Sequence, residues 1–304
     1  MNFIEHLKQK RILKLRKKAL EPKWKSIVYE LQLFNRVGDY PKEVKVNFME
    51  NGLKLNFDIA GICSYSKVEK NLEFIGNLFG AEEITASNKG GNITLTIFDK
   101  ELENLDYKKY ILPPTKLLAG YNYQDFITID MSKVPHLLIS GLSGQGKSRM
   151  INYMLNNLIG ADVVVLNGYK EDYKGVKVIN NLNEIEAYLK SILVDENERD
   201  RPLYVVIEEM QRFSNDKVIS SLCKDLLSYG RHKNIFVIGC IQIATKENCK
   251  FKDLFNSRLT FKQIDNSAYS VCLGVGVDKD LQKQEFFLYA QDGLIKGRTF
   301  NNEF

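Results

Sequence analysis

The chain has 304 residues, 44% of them hydrophobic and 27% charged, with a net charge of +5. That length leaves room for two domains, and the composition is that of an ordinary globular protein. No apolar run nears the roughly 20 residues that span a bilayer, and the N-terminus lacks a signal-peptide core. Five scattered cysteines and three histidines suit neither a disulfide framework nor a zinc site, so a reduced, cytoplasmic protein is expected.

The charge is unevenly placed. Residues 1–25 hold nine lysines and arginines against Glu5 and Glu21, a net of +7, which leaves the rest of the chain at −2. Such a block attracts phosphate backbones or anionic lipid, or forms a solvated helix face. Residues 2–36 read as helix, with a second segment after Pro22 carrying Trp24, Ile27, Val28 and Leu31; Gly38, Asp39 and Pro41 end the pattern.

From Glu43 to Lys100 the period changes to two. Val44–Phe48 and Leu53–Phe57 alternate around Glu50-Asn-Gly52 and predict a hairpin. Ser64–Phe79 is spaced as an amphipathic helix, Ala81–Thr85 as a short strand, and Ile93–Ile97 as another alternating strand. The order β-β-α-β predicts a small α+β domain over residues 41–112, after a basic helical segment over 1–40 and before a larger domain over 113–304, with Pro113-Pro114 as linker.

The larger domain alternates buried strands with helices. Strands are predicted at Phe126–Ile129, His136–Ser140, Asp162–Leu166, Leu203–Glu209, Ile235–Ile241 and Arg258–Phe261, with helices at Lys147–Ile159, Leu182–Val194 and Asp216–Tyr229 and a closing hairpin at Phe286–Leu288 and Gly293–Thr299. Continuous apolar strands suit a mainly parallel sheet covered on both faces, a doubly wound α/β fold whose ligands sit at the carboxyl ends of the strands.

At one such end the sequence reads Gly141-Leu-Ser-Gly-Gln-Gly-Lys-Ser148, the phosphate-loop pattern G-x-x-x-x-G-K-[ST] between a strand and a helix. Gly141, Leu142, Ser143, Gly144, Gln145, Gly146, Lys147, Ser148 and Arg149 are the candidate nucleotide-binding residues. Glycines turn successive N–H groups onto a phosphate, Lys147 reaches the β- and γ-phosphates, and the Ser148 hydroxyl suits Mg²⁺, so ATP and Mg²⁺ are the expected ligands. Glu208 and Glu209 end another apolar strand; Glu208 is assigned to the metal and Glu209 to the attacking water, although neighbouring carboxylates can exchange roles. Gln242 ends a third strand, where its amide can sense the γ-phosphate. Arg231 and Arg258 are candidates for an arginine acting on a neighbouring subunit's site, with Arg298 a weaker third.

These residues resemble the FtsK/SpoIIIE DNA translocases, within the HerA–FtsK group of RecA-like P-loop ATPases. The resemblance rests on Ile129-Asp-Met-Ser-Lys-Val-Pro-His-Leu-Leu-Ile-Ser-Gly141, the terminal acids of Val205–Glu209, and Gly230-Arg231 followed by Ile235–Gln242. It extends to the module at 43–100 and covers roughly residues 43–300. Two features depart from the family pattern: Gln242 is followed by Ile243-Ala244 rather than Arg-Pro, and Asn167-Gly-Tyr-Lys170 stands where Asp-Pro-Lys is usual.

The resemblance implies an ATP-hydrolysing motor that moves DNA, double-stranded and without sequence preference, as a homo-hexameric ring. With neither a membrane anchor nor a winged-helix domain in this sequence, it implies a compact soluble relative of the kind carried by plasmids, conjugative elements or phages. The alternatives are a coupling or packaging ATPase acting through a protein partner such as a relaxase, and, from another class, a nucleotide-gated interaction module or small-molecule kinase.

Overall fold

The computed structural model describes residues 3–194, 199–277, 281–291 and 293–301, with side chains from residue 14 onward. The chain divides into two compact units, Met1–Glu103 and Asn104–Phe304.

The first unit joins a long helix, α1 (Phe3–Glu30), to an antiparallel sheet of β1 (Lys45–Met49), β2 (Gly52–Asp58), β3 (Glu83–Lys89) and β4 (Asn92–Phe98), in the order β1-β2-β4-β3. Short helices α2 (Ser66–Glu69) and α3 (Leu72–Phe79) connect β2 to β3. Gly52 closes the first hairpin at φ 152°, where a Cβ would lie 1.9 Å from the Ile97 carbonyl oxygen, so no other residue fits that turn. Trp24, Ile27 and Val28 of α1 and Leu31 just after it share one core with Leu55, Phe57, Ile93 and Leu95 of the sheet and Ile75 of α3.

Two sequence expectations change here. Pro22 does not divide the helix: α1 runs through it. An interior proline costs roughly 3 kcal/mol. Burial of four large apolar side chains just beyond it, at about 1.5–3 kcal/mol each, exceeds that cost. The helix also stops at Glu30 rather than near residue 36, because Gln32 turns left-handed at φ 50°. The helix is therefore not a segment apart from the small domain; its second half supplies part of that domain's core.

The second unit is built on one ten-stranded sheet. Its strands are β5 (Lys116–Tyr121), β6 (Phe126–Asp130), β7 (Leu137–Ser140), β8 (Asp162–Leu166), β9 (Lys177–Ile179), β10 (Leu203–Ile207), β11 (Ile235–Ile241), β12 (Ser257–Thr260), β13 (Glu285–Ala290) and β14 (Gly293–Arg298). The order is β6-β5-β14-β13-β12-β7-β11-β10-β8-β9, parallel from β12 to β9 and antiparallel from β6 to β12. Helices α4 (Lys147–Asn156), α5 (Leu182–Val194), α6 (Lys217–Tyr229) and α7 (Asn266–Leu273) complete it. This is the mixed, mostly parallel α/β architecture expected.

Both faces of the parallel half are covered, as its unbroken apolar strands require. Leu203, Val205 and Ile207 of β10 and Ile235, Val237 and Ile241 of β11 share a core with Ile185 and Leu189 of α5 and Ile219, Cys223 and Leu226 of α6. On the opposite face Tyr204 and Phe236 pair their rings at 5.5 Å. Residues 104–112, placed with the small domain by sequence, belong to this unit. Asp106 bridges to Asn301, Leu112 bridges to Leu158, and the Tyr107 ring stacks on Tyr153 at 5.6 Å. The aromatic cluster around Phe300, with Tyr110, Tyr121, Phe126 and Tyr153, holds the segment there, so the boundary precedes Pro113-Pro114.

Candidate nucleotide site

The loop between β7 and α4 is fixed at its root. The Phe261 amide donates to the Ser140 carbonyl at 2.8 Å and the Leu142 amide to the Lys262 carbonyl at 3.1 Å, tying the loop to the end of β12. Beneath it lies a buried polar cluster. Gln263 donates to the hydroxyls of Ser140 and Thr260, both at 3.0 Å, and accepts from the Ala244 amide at 3.4 Å. Gln263 thus joins the root of the loop to the chain two residues beyond Gln242.

Gly141, Gly144 and Gly146 all adopt positive φ, at 147°, 74° and 116°. A Cβ on Gly141 would stand 2.6 Å from the Phe261 Cβ, whereas one on Gly144 would meet no atom within 4 Å. Glycine at 141 lets the loop lie against β12; glycine at 144 leaves the concave side open, a cradle for a phosphate. The helix α4 begins at Lys147, so its unpaired N–H groups and positive dipole end face the same side.

Lys147 lies across this cradle, donating to the carbonyls of Gly141 and Leu142 at 2.5 and 3.1 Å. Burial lowers its pKa, opposed by the charges of Glu208 and Glu209. Burial raises the pKa of Glu208, against the hydrogen bond from Tyr173 and the nearby Lys147 charge. The Tyr173 hydroxyl donates to Glu208 Oε1, and Asn167 Nδ2 donates to the Glu208 carbonyl at 3.0 Å.

Glu209 takes the left-handed conformation at φ 47°, a strained choice for a non-glycine residue that recurs at functional sites. Its two oxygens are held separately. Gln242 Nε2 donates to Oε1 at 3.0 Å and the Arg212 guanidinium pairs with Oε2 at 3.2 Å. Arg212 also donates to Asn167 Oδ1 at 3.3 Å.

One cavity of about 1250 Å³ lies at the carboxyl edge of the sheet, lined by Ser143, Gly144, Gly146, Lys147, Ser148, Arg149, Glu208, Glu209 and Gln242 among others. The sheet order explains the convergence: β7 lies beside β11, and β11 beside β10, so the loop, Gln242 and the two acids end on adjacent parallel strands. Gly141, Leu142 and Gln145 shape the loop without lining the cavity.

Mg²⁺ binds proteins through one or two carboxylates plus substrate phosphates. Ser148 and Glu208, hard oxygen donors in one cavity, fit that requirement, and among the described residues there is no cluster of three or more His, Cys, Asp or Glu. The ion in such a site neutralises charge on the transferring phosphoryl group.

The arginine candidates do not join this cavity. Arg231 is exposed in the turn Gly230–Lys233 at the opposite edge of the sheet, its Nε 3.3 Å from His232 Nε2. Arg258 is engaged within its own chain, donating to the Leu273 carbonyl at 3.2 Å and lying 3.8 Å from Asp253. Arg298 reaches Asn104 Oδ1 at 3.2 Å and Glu285 at 3.4 Å. Conversely, Asn167, Tyr173 and Arg212 were missed as site residues. Their only sequence signal was the departure at Asn167–Lys170, where Lys170 drew attention but Asn167, Gly168 and Tyr169 line the cavity.

Comparison with known proteins agrees with this geometry. Residues 113–225 match the model of the FtsK/SpoIIIE family. A DNA translocase FtsK of Lactiplantibacillus plantarum is 27% identical over 134 residues, covering 40% of this chain and 16% of that protein. The FtsK of Leptospira interrogans is 28% identical over 110 residues, 34% of this chain and 11% of its own. The chain thus spans a small fraction of the length of the curated relatives it matches. Among solved structures, the pCW3 conjugation coupling protein TcpA, in monomer form with ATPgS, superposes with a TM-score of 0.61 at 16% identity, covering 90% of this chain and 92% of that one. EssC (ATPases 2 and 3) from Geobacillus thermodenitrificans gives 0.54 at 11% identity, over 67% of this chain and 49% of that one. Residues 113–225, the stretch that carries the phosphate loop and the paired acids, match the FtsK/SpoIIIE family model, and the fold around them is the α/β fold shared with these ATPases of known structure.

Proposed function

We propose that this chain is an ATP-driven DNA motor. One observation carries the reading: the phosphate loop, Lys147, Ser148, the paired acids Glu208 and Glu209, and Gln242 meet in a single cavity. In this assignment Gly141–Arg149 cradle the phosphates and Lys147 neutralises the transferring group. Ser148 and Glu208 hold Mg²⁺. Glu209, steered by Gln242, orients the attacking water and accepts its proton.

The substrate is double-stranded DNA, bound through its phosphates without sequence preference by a homo-hexameric ring in the cytoplasm, with Arg231 or Arg258 reaching a neighbour's site. Support comes from the FtsK relatives and from the basic α1, whose Lys14, Arg16, Lys17 and Lys18 are exposed. The test compares ATP hydrolysis with and without duplex DNA over a salt series. Stimulation by DNA that fades with salt, abolished in Lys147→Ala, is expected; hydrolysis indifferent to both refutes the reading.

A second reading is a coupling ATPase that works through a protein partner in DNA transfer. It draws on the likeness to the conjugation coupling protein TcpA, which extends over 90% of this chain. It predicts hydrolysis insensitive to DNA alone and raised by that partner.

A further inference from the structure

We propose that Tyr173 is a positioning residue of this site, holding one oxygen of the Glu208 carboxylate so that the other is presented to the metal ion of a Mg²⁺–nucleotide complex. The inference rests on the ATPase reading above.

Tyr173 lies in the loop after β8 and is 2% exposed. Its backbone is pinned on both sides, its amide donating to the Lys170 carbonyl at 3.2 Å and its carbonyl accepting from the Val176 amide at 3.2 Å. Its ring lies over Gly168, where a Cβ would come within 3.2 Å of the Tyr173 Cε2 and 2.6 Å of the Val165 Cγ1. Glycine at 168, itself in the cavity lining, therefore lets the tyrosine ring settle against the end of β8, behind that lining. From there its hydroxyl meets Glu208 Oε1.

The backbone of Glu208 is fixed as well. Its amide donates to the Leu166 carbonyl at 3.0 Å and its carbonyl accepts from Asn167 at 3.0 Å. What remains free in a glutamate is the side chain, with several rotatable bonds whose ordering a metal contact would have to offset. A hydrogen bond to an ionised carboxylate from a rigid, buried donor supplies that order beforehand. That bond engages Oε1, and the carboxylate also has the Cys240 thiol as a hydrogen-bond neighbour; on the proposal Oε2 is the oxygen offered to a cation. A buried tyrosine that carries its hydroxyl to a carboxylate does more than pack, since packing alone is served equally by phenylalanine.

The test is Tyr173→Phe in the full chain. Binding of a fluorescent ATP analogue is titrated with EDTA and with Mg²⁺, and the Mg²⁺ half-saturation of hydrolysis is measured alongside. Affinity in EDTA stays at the parent value, while the Mg²⁺ half-saturation rises roughly tenfold or more, the range found when partners of metal ligands are removed. In a Glu208→Gln background the same change adds less than twofold. A half-saturation within twofold of the parent overturns the proposal, as does a parallel loss of affinity with and without Mg²⁺, which marks a purely structural role. A parent chain whose nucleotide binding ignores Mg²⁺ overturns the ATPase reading itself.

Discussion

Two alanine substitutions in one loop separate what its glycines do. Gly141→Ala places a Cβ at φ 147°, a region almost closed to other residues, and 2.6 Å from the Phe261 Cβ. The backbone strain is worth about 1–3 kcal/mol. The overpacking adds about 1–3 kcal/mol, since β12 cannot retreat without breaking its pairing with β7. A loss near 4 kcal/mol is expected, or about 8–16 °C in the melting midpoint of a domain of this size. Gly144→Ala meets nothing within 4 Å and pays only for a left-handed residue at φ 74°. That is about 1–2 kcal/mol, or roughly 2–8 °C. Its methyl group adds bulk to a residue that lines the cavity where the phosphate is proposed to bind. Thermal melting and nucleotide titration of both variants are the assay. Gly141→Ala is expected to lose stability first. Gly144→Ala is expected to melt near the parent while binding ATP at least tenfold more weakly. Parent-like affinity in a folded Gly144→Ala chain would refute the reading of this concavity as the phosphate site.

Two further predictions follow from the site and its supports. Glu209→Gln keeps the side chain's shape and one of its two acceptor oxygens but removes the base, so ATP binding is retained while kcat falls by about 10²–10⁴-fold in steady-state assays. His136, buried where its Nδ1 accepts from the Val237 amide at 3.0 Å, has a pKa lowered by burial to about 4 from 6.5. Below pH 6.5 the unfolded chain takes up a proton that the folded chain refuses, so the stability this group contributes is full above pH 6.5 and is lost as pH falls toward 4. Between pH 7 and pH 5 the loss is about 2 kcal/mol, read as the difference in urea unfolding between parent and His136→Gln, which keeps an acceptor for Val237.

The strands of the larger unit were legible because burial on both faces writes itself as unbroken apolar runs. Leu203–Ile207 and Ile235–Ile241 stood out for that reason, and the phosphate loop stood out as a local pattern between the shorter strand Leu137–Ser140 and its helix. What the sequence hid is set by non-local contacts. β9 has three residues, and β5 carries Lys116 and Gly120 in a run interrupted by a bulge. The segment 104–112 falls with the small domain by sequence because no local pattern ties it to the larger one, and contacts with the distant Phe300, Phe126 and Asn157 show where Tyr110 belongs. The same holds within the site. Glu208, Glu209 and Gln242 end strands and were visible, while Tyr173 and Arg212 lie in loops whose aim no periodicity encodes.

Of the two arginines proposed to act on a neighbour, Arg231 is favoured by its position in the sheet. Arg231 precedes β11 and Gln242 follows it, and seven residues of strand separate them by about 20 Å. A guanidinium on the amino edge therefore cannot serve the cavity on the carboxyl edge of its own chain, whereas it is exposed and free to meet that of another copy in a head-to-tail ring. Arg258, bound to the Leu273 carbonyl and facing Asp253, would have to abandon both. On this proposal Arg231→Ala and Lys147→Ala chains are each inactive alone. Mixed in equal amounts, an intact loop from the first meets an intact Arg231 from the second at about a quarter of randomly assembled interfaces, and hydrolysis returns to about that fraction of the parent rate. A mixture no more active than its components refutes a trans role for Arg231.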